Sequence, residues 1–212
     1  MLDICCGFLL ITVFPFFWIL NSSFKPESEI FGANCYRIIA ENPTMENYKV
    51  VIFEKGMLRA IGNSFIMSAA TTFYVVIVAS MSAYIISRFK FKGKSLLMGL
   101  ILAVAMFPQM IVVGPIFNMF YKLNILNTYW VCLAYSTITL PSAVWIMVAH
   151  FNQVPLALEE AAKIDGCSTW GMLWRIIFPI AAPGVFTTAI MSFIAAWNEY
   201  LLSCTLNIDE KI

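Results

Sequence analysis

Charge is scarce in this chain. Lys and Arg number 13 and Asp and Glu 12, so charged residues make up 12% of the 212 and the net charge is +1. That balance leaves no basic surplus for a nucleic-acid surface. Histidine occurs once, at His150, which reads as a helix-end residue and, with no second histidine nearby, not as a ligand or proton relay. The six cysteines (Cys5, Cys6, Cys35, Cys132, Cys167, Cys204) form no CxxC pair and no Cys/His cluster. They indicate neither a metal site nor a disulfide framework, and read as small buried hydrophobes. No GxxxxGK[ST] stretch is present, so the chain binds no nucleotide by that route.

What the chain has in plenty is apolar length. It is 61% hydrophobic, with a mean hydropathy of +0.83, and such values fit an integral membrane protein rather than a soluble domain. A spanning helix needs roughly 20 mostly apolar residues. Runs of that kind occupy about 4–20, 65–86, 96–116, 129–149 and 180–197. The first is short, and it lacks the basic flank and small-residue cleavage signal of a removable leader, so it reads as a span.

Lys and Arg orient these spans. Arg88, Lys90, Lys92 and Lys94 crowd the link between the second and third, which places that link in the cytoplasm. The link between the third and fourth carries only Lys122 and belongs outside. The charged island 152–179, with Lys163 and Arg175, falls inside again. Segment 21–63 holds five basic and five acidic residues and is external by alternation. The N-terminus is then cytoplasmic.

The island at 152–179 is punctuated like a helix-turn-helix. Pro155 suits a first helical turn, where its missing N–H costs nothing. Glu159, Glu160 and Lys163 share one predicted face, and Ala157, Leu158, Ala161, Ala162 and Ile164 cover most of the other. Glu159 and Lys163 stand in the favourable i,i+4 order, worth about 0.3–0.5 kcal/mol. Gly166 can stop the helix by taking positive φ, and Ser168 can cap a second one that Pro179 ends. Two readings fit: an amphipathic helix in the headgroup layer, or a surface on which another protein docks. Three alanines and a single lysine favour the second.

Glu160-Ala161-Ala162, Asp165-Gly166, Ile176 and Pro179 together resemble the coupling loop of binding-protein-dependent ABC permeases, with Phe178 in place of the usual leucine. Further stretches resemble the carbohydrate-importing, maltose-type branch: Phe14-Pro15-Phe16-Phe17-Trp18, Ser22-Ser23-Phe24-Lys25, Asn47-Tyr48, Asn63-Ser64 and Trp197-Asn198-Glu199-Tyr200. The resemblance covers nearly the whole chain. It implies one all-α transmembrane domain over 1–212, with about five of an expected six transmembrane helices, and a polypeptide cut short before the sixth. It also implies a multi-pass protein of a prokaryotic cell membrane that is not an enzyme. The implied partners are a second permease subunit, two ATP-binding cassette ATPase subunits and an extracytoplasmic solute-binding protein. No cofactor belongs to this chain, since the ATPase subunits bind and hydrolyse the ATP. The implied ATPase-coupling residues are Glu159, Glu160, Ala161, Ala162, Asp165, Gly166, Ile176 and Pro179.

Other residues speak to packing and passage. Gly184, Thr188, Ser192 and Ala196 form a small-residue stripe that admits a close neighbour, within the subunit or across to a partner. Pro108, Pro115 and Pro141 fall in or at the ends of spans, where they can bend them. Gln109, Ser136, Thr137 and Thr139 are the intramembrane polar groups most able to face a solute, unless they bond to helix backbones instead. Asn198 and Glu199 line an outer mouth or mark the membrane boundary, since a charge at the bilayer centre costs about 2.5–3.5 kcal/mol. Within the family, the alternative is a permease for another solute such as a polyamine, phosphate or peptide; from another class it is an intramembrane enzyme using Glu159, Glu160 and Asp165, but no partner group converges on them in sequence.

Overall fold

The computed structural model describes residues 2–32 and 35–208, and its regular elements there are all helical. It divides into two compact units, residues 1–61 and 62–212.

The first unit begins with α1 (Leu2–Ser23), which contains the expected first span. Side chains 2–6 and 8, Cys5 and Cys6 among them, lie outside the described residues. From Leu9 onward the helix exposes large apolar groups such as Leu10, Ile11, Phe16 and Ile19, as a lipid-facing surface does. The chain then folds into a knot containing α2 (Glu27–Ile30) and α3 (Glu46–Lys49), the latter running into a π-helical turn, Val50–Glu54.

Lys25 holds this knot. Its side chain is 1% exposed. The ammonium sits 5.2 Å from the centre of the Trp18 ring and donates to the carbonyls of Cys35, at 3.4 Å, and Arg37. A buried cation needs such a cage of acceptors to offset lost hydration. The Asn47 amide donates to the Ser23 and Lys25 carbonyls at 3.1 and 2.8 Å. The Ser23 and Tyr48 hydroxyls meet at 2.6 Å. Two motifs far apart in sequence, Ser22-Ser23-Phe24-Lys25 and Asn47-Tyr48, are thus halves of one lock.

The second unit takes most of α4 (Met57–Arg88), followed by α5 (Lys94–Ala105), α6 (Gln109–Lys122) and α7 (Val131–Gln153). Then come α8 (Leu156–Ile164), α9 (Thr169–Met172), a π-helical turn at Leu173–Ile177, α10 (Phe178–Ile180), α11 (Ala182–Trp197) and α12 (Leu201–Leu206). Among the described residues, α4 and α7 are the two single helices long and apolar enough to cross a bilayer. They match the spans expected at 65–86 and 129–149.

The run expected as one span over 96–116 is broken. α5 and α6 meet at 91° across Met106–Pro108. Pro108 has no N–H to continue the ladder and disfavours helical geometry at Phe107, whereas Pro115 and Pro141 sit inside their helices without ending them. The span expected at 180–197 corresponds to α11, which turns by 83° from the segment Thr169–Ile180.

The stripe Gly184, Thr188, Ser192 and Ala196 is buried, and α11 lies along α7 of the same chain. The two helices approach closely at Gly184, where an added Cβ would stand 2.1 Å from Cγ of His150 and 2.6 Å from its Cβ. His150 is therefore an interhelical packing residue. The cysteines divide: Cys132 and Cys167 are half-buried, while Cys35 and Cys204 are exposed, contrary to the expectation of burial throughout.

Two expected outcomes follow from these contacts. Gly184→Ala forces α7 and α11 apart and lowers stability by about 1–3 kcal/mol, as overpacking does, which thermal unfolding of the detergent-solubilised protein would register. Lys25→Met removes two charge-assisted bonds, each worth about 1.5–3 kcal/mol. Limited proteolysis should then cut between residues 26 and 45 at least about tenfold faster, and an unchanged rate would refute the locking role.

Candidate functional site

α8 is short and firmly terminated at both ends. It starts after Pro155, whose φ of −62° and ψ of 133° set the chain for entry into a helix. It closes through paired bonds from the Gly166 N–H to the Lys163 carbonyl and from the Cys167 N–H to the Ala162 carbonyl, at 3.0 and 2.9 Å. This closure requires a left-handed residue, and Gly166 supplies it at φ +76°. The Ser168 hydroxyl then accepts from the Gly171 N–H at 3.2 Å and caps α9, as the sequence suggests.

The faces of α8 differ from the helical-wheel expectation. Glu159 does not stand beside Glu160 and Lys163. It turns inward with Ala162, and these two are the only buried residues of the helix. Its partner is Arg88 at the end of α4: Nε donates to the Glu159 carboxylate, and Nη2 donates to the Val154 carbonyl at 3.0 Å. A guanidinium 71 positions away outcompetes the neighbouring lysine because burial strengthens the attraction and water does not screen it. Glu160, Ala161, Lys163, Asp165 and Gly166 remain exposed, with Leu158 and with Ile164 at 87% exposure. Ile176 is half-buried against the core and Pro179 is exposed. The expected coupling residues therefore split into an outward set, Glu160, Ala161, Asp165, Gly166 and Pro179, and an anchoring set, Glu159, Ala162 and Ile176. Arg88, which the sequence presents only as a topological charge, joins the second set.

A second group of expected residues gathers at the α5–α6 break. The Gln109 amide donates to Glu199, just beyond α11, whose other carboxylate oxygen accepts from the Leu202 N–H at 2.9 Å. A hollow of ≈ 340 Å³ opens beside it, lined by Phe107, Gln109, Val112 and Thr137 among others. The Ser136, Thr137 and Thr139 hydroxyls all return to carbonyls of their own helix, those of Leu133, Ala134 and Tyr135. Ser136 and Thr139 are buried, so only Thr137 reaches the hollow. Asn198 is exposed and donates to the Ile194 carbonyl at 2.9 Å.

The sequence and the helical layout have counterparts among known proteins. Residues 76–207 match the family described as binding-protein-dependent transport system inner membrane component. The sulfoquinovosyl glycerol transport permease of Agrobacterium fabrum is 34% identical over 94% of this chain and 70% of its own length. The trehalose/maltose transport permease of Thermococcus litoralis is 36% identical, covering 95% of this chain and 73% of its own length. The trehalose transport permease of Mycobacterium tuberculosis is 35% identical over 92% of this chain and 71% of its own length. A crystal structure of a bacterial ABC transporter that imports alginate aligns with a TM-score of 0.70 at 20% identity, over 99% of this chain and 73% of that one, and it supports the fold alone. The chain belongs to the family of inner membrane permeases of binding-protein-dependent transport systems.

Proposed function

We propose that this chain is a permease subunit of an ATP-driven importer for a sugar or oligosaccharide, moving its solute by alternating access. The sugar assignment draws on relatives 34–36% identical that are named as trehalose, maltose and sulfoquinovosyl glycerol permeases. The same relatives are named as transport permeases and not as enzymes, which favours transport over intramembrane catalysis.

The observation that carries the coupling role is the surface of α8. Anchored on one side by a buried ion pair, it presents Ala157, Leu158, Ala161 and Ile164, with Glu160 and Lys163 beside them, to the outside. Small apolar groups next to charges suit a groove on another protein, which they can approach closely and in one register. The occupant proposed is an ATPase subunit, one of two, with a second permease subunit and an extracytoplasmic solute-binding protein completing the importer. ATP is bound and hydrolysed there and not by this chain. Closure of the ATPase pair draws the two permeases' docking helices together and opens the spans outward, and hydrolysis resets them. A ligand moves such an equilibrium only through a difference in its affinity for the two states, and ATP supplies that difference at the ATPase interface. In this arrangement the N-terminus and the basic link at 88–94 face the cytoplasm.

The solute's route in this subunit runs past the α5–α6 break. Interrupted membrane helices line solute sites in other transporters because their free ends offer polar groups. Gln109, Glu199 and Thr137 stand there as neutral and acidic hydrogen-bonding partners for hydroxyl groups. The carboxylate of Glu199 also gives a second reading some footing, a cationic solute such as a polyamine.

The test is docking. Glu160→Lys reverses an exposed charge, and Gly166→Pro imposes φ near −65° where +76° is needed. Both variants should reach the membrane yet recover less than about a tenth of the ATPase on co-purification, a loss of at least about 1.4 kcal/mol. Normal recovery together with normal transport would overturn the proposal.

A further inference from the structure

Arg88 occupies a junction. The break at Val154–Pro155 leaves the Val154 carbonyl outside the helical ladder of α7, and Arg88 Nη2 takes it up at 3.0 Å. The Nε of the same guanidinium holds the carboxylate of Glu159 in the first turns of α8. Arg88 is itself the last residue of α4. One side chain thus ties together the ends of three helices.

The rest of α8 offers the bundle little. Of its nine residues only Glu159 and Ala162 are buried, and a methyl group resists neither sliding nor rotation. A charge pair with both side chains under 10% exposed resists both, because its bonds are directional and separation would strand two charges away from water. Covalent continuity through Val154 and Pro155 adds a hinge, since Val154 is extended at φ −73° and ψ 122°. The ion pair converts that hinge into a fixed joint.

We infer that the Arg88–Glu159 pair, together with the Arg88–Val154 bond, is the rigid link that passes displacement of α8 to α4 and α7, and that it stays closed throughout the transport cycle. This rests on the docking role proposed above for α8. Arg88 and Glu159 are positioning residues: they touch neither solute nor ATP. Arginine is required because its planar fork donates in two fixed directions at once, whereas a lysine ammonium can neutralise Glu159 without also fixing Val154.

The experiment uses the whole importer in proteoliposomes: both permeases, the ATPase subunits and the solute-binding protein. Arg88→Lys keeps the buried charge balance, and Glu159→Gln removes it. A cysteine at the exposed position Ile164 reports docking by cross-linking to the ATPase. With docking and ATP hydrolysis retained, solute delivered per ATP should fall at least about fivefold in Arg88→Lys, the scale of a typical coupling loss. Wild-type delivery per ATP in a docked Arg88→Lys importer would overturn the link and leave the docking role intact. Absence of the cross-link in the otherwise unaltered importer would overturn the docking role itself. A second measurement needs no change at either residue. Spin labels at the exposed positions Phe89 and Leu156, the latter on α8 but outside the docking face, should keep their separation within roughly 2 Å between nucleotide-free and ATP-bound states, the size of ordinary helix adjustments. A larger change would show that the joint opens, and would refute it.

Discussion

A helix that stops in or beside a bilayer strands backbone groups where water cannot reach them, and this structure depends on how side chains take those groups up. The end of α1 gives its Ser23 and Lys25 carbonyls to Asn47. The end of α7 gives Val154 to Arg88. Beyond α11, Glu199 receives the Leu202 N–H and Asn198 returns to Ile194. After α12, the Ile208 N–H donates to the Asn127 side-chain oxygen at 2.6 Å.

That requirement explains why the motifs of the chain sit where they do. Ser22-Ser23-Phe24-Lys25 with Asn47-Tyr48, and Asn198-Glu199, mark helix ends that have been closed. Four little-exposed ionised groups obey the same rule. Lys25 is caged by carbonyls, Glu29 accepts the Glu41 N–H on both oxygens at 3.2 Å, and Arg88 and Glu159 hold each other. None depends on solvent, so each contributes directional contacts as well as charge.

Local rules were readable and distant ones were not. Gly166 at positive φ and Ser168 as a cap depend on residues within a turn or two, and the linear order displays them; it displays the small stripe on α11 as well, but not α7, the helix that covers it. The spans at 65–86 and 129–149 needed only average hydropathy. The same averaging hid the 91° turn at Pro108, because an apolar window scores alike whether straight or folded. The inward turn of Glu159 was hidden for another reason. A helical wheel ranks positions by their neighbours on the helix, and the deciding neighbour, Arg88, is 71 positions away. Burial of Lys25 is illegible in the sequence for the same cause, since its acceptors are carbonyls 10 and 12 residues on. At the α5–α6 break, Gln109 and Glu199 were each legible as polar and membrane-edged, but their meeting across 90 residues was not.

The meeting of His150 with Gly184 has a consequence for how the helices can rearrange. With the imidazole seated where any larger residue would collide, α7 and α11 have no slack along their axes at that level. Close-packed interiors do not deform smoothly, so translation through such a contact is blocked while tilting about it is not. The glycine notch that admits the imidazole therefore favours rocking of the two rods about this contact, like scissor blades on a pin, over sliding like pistons.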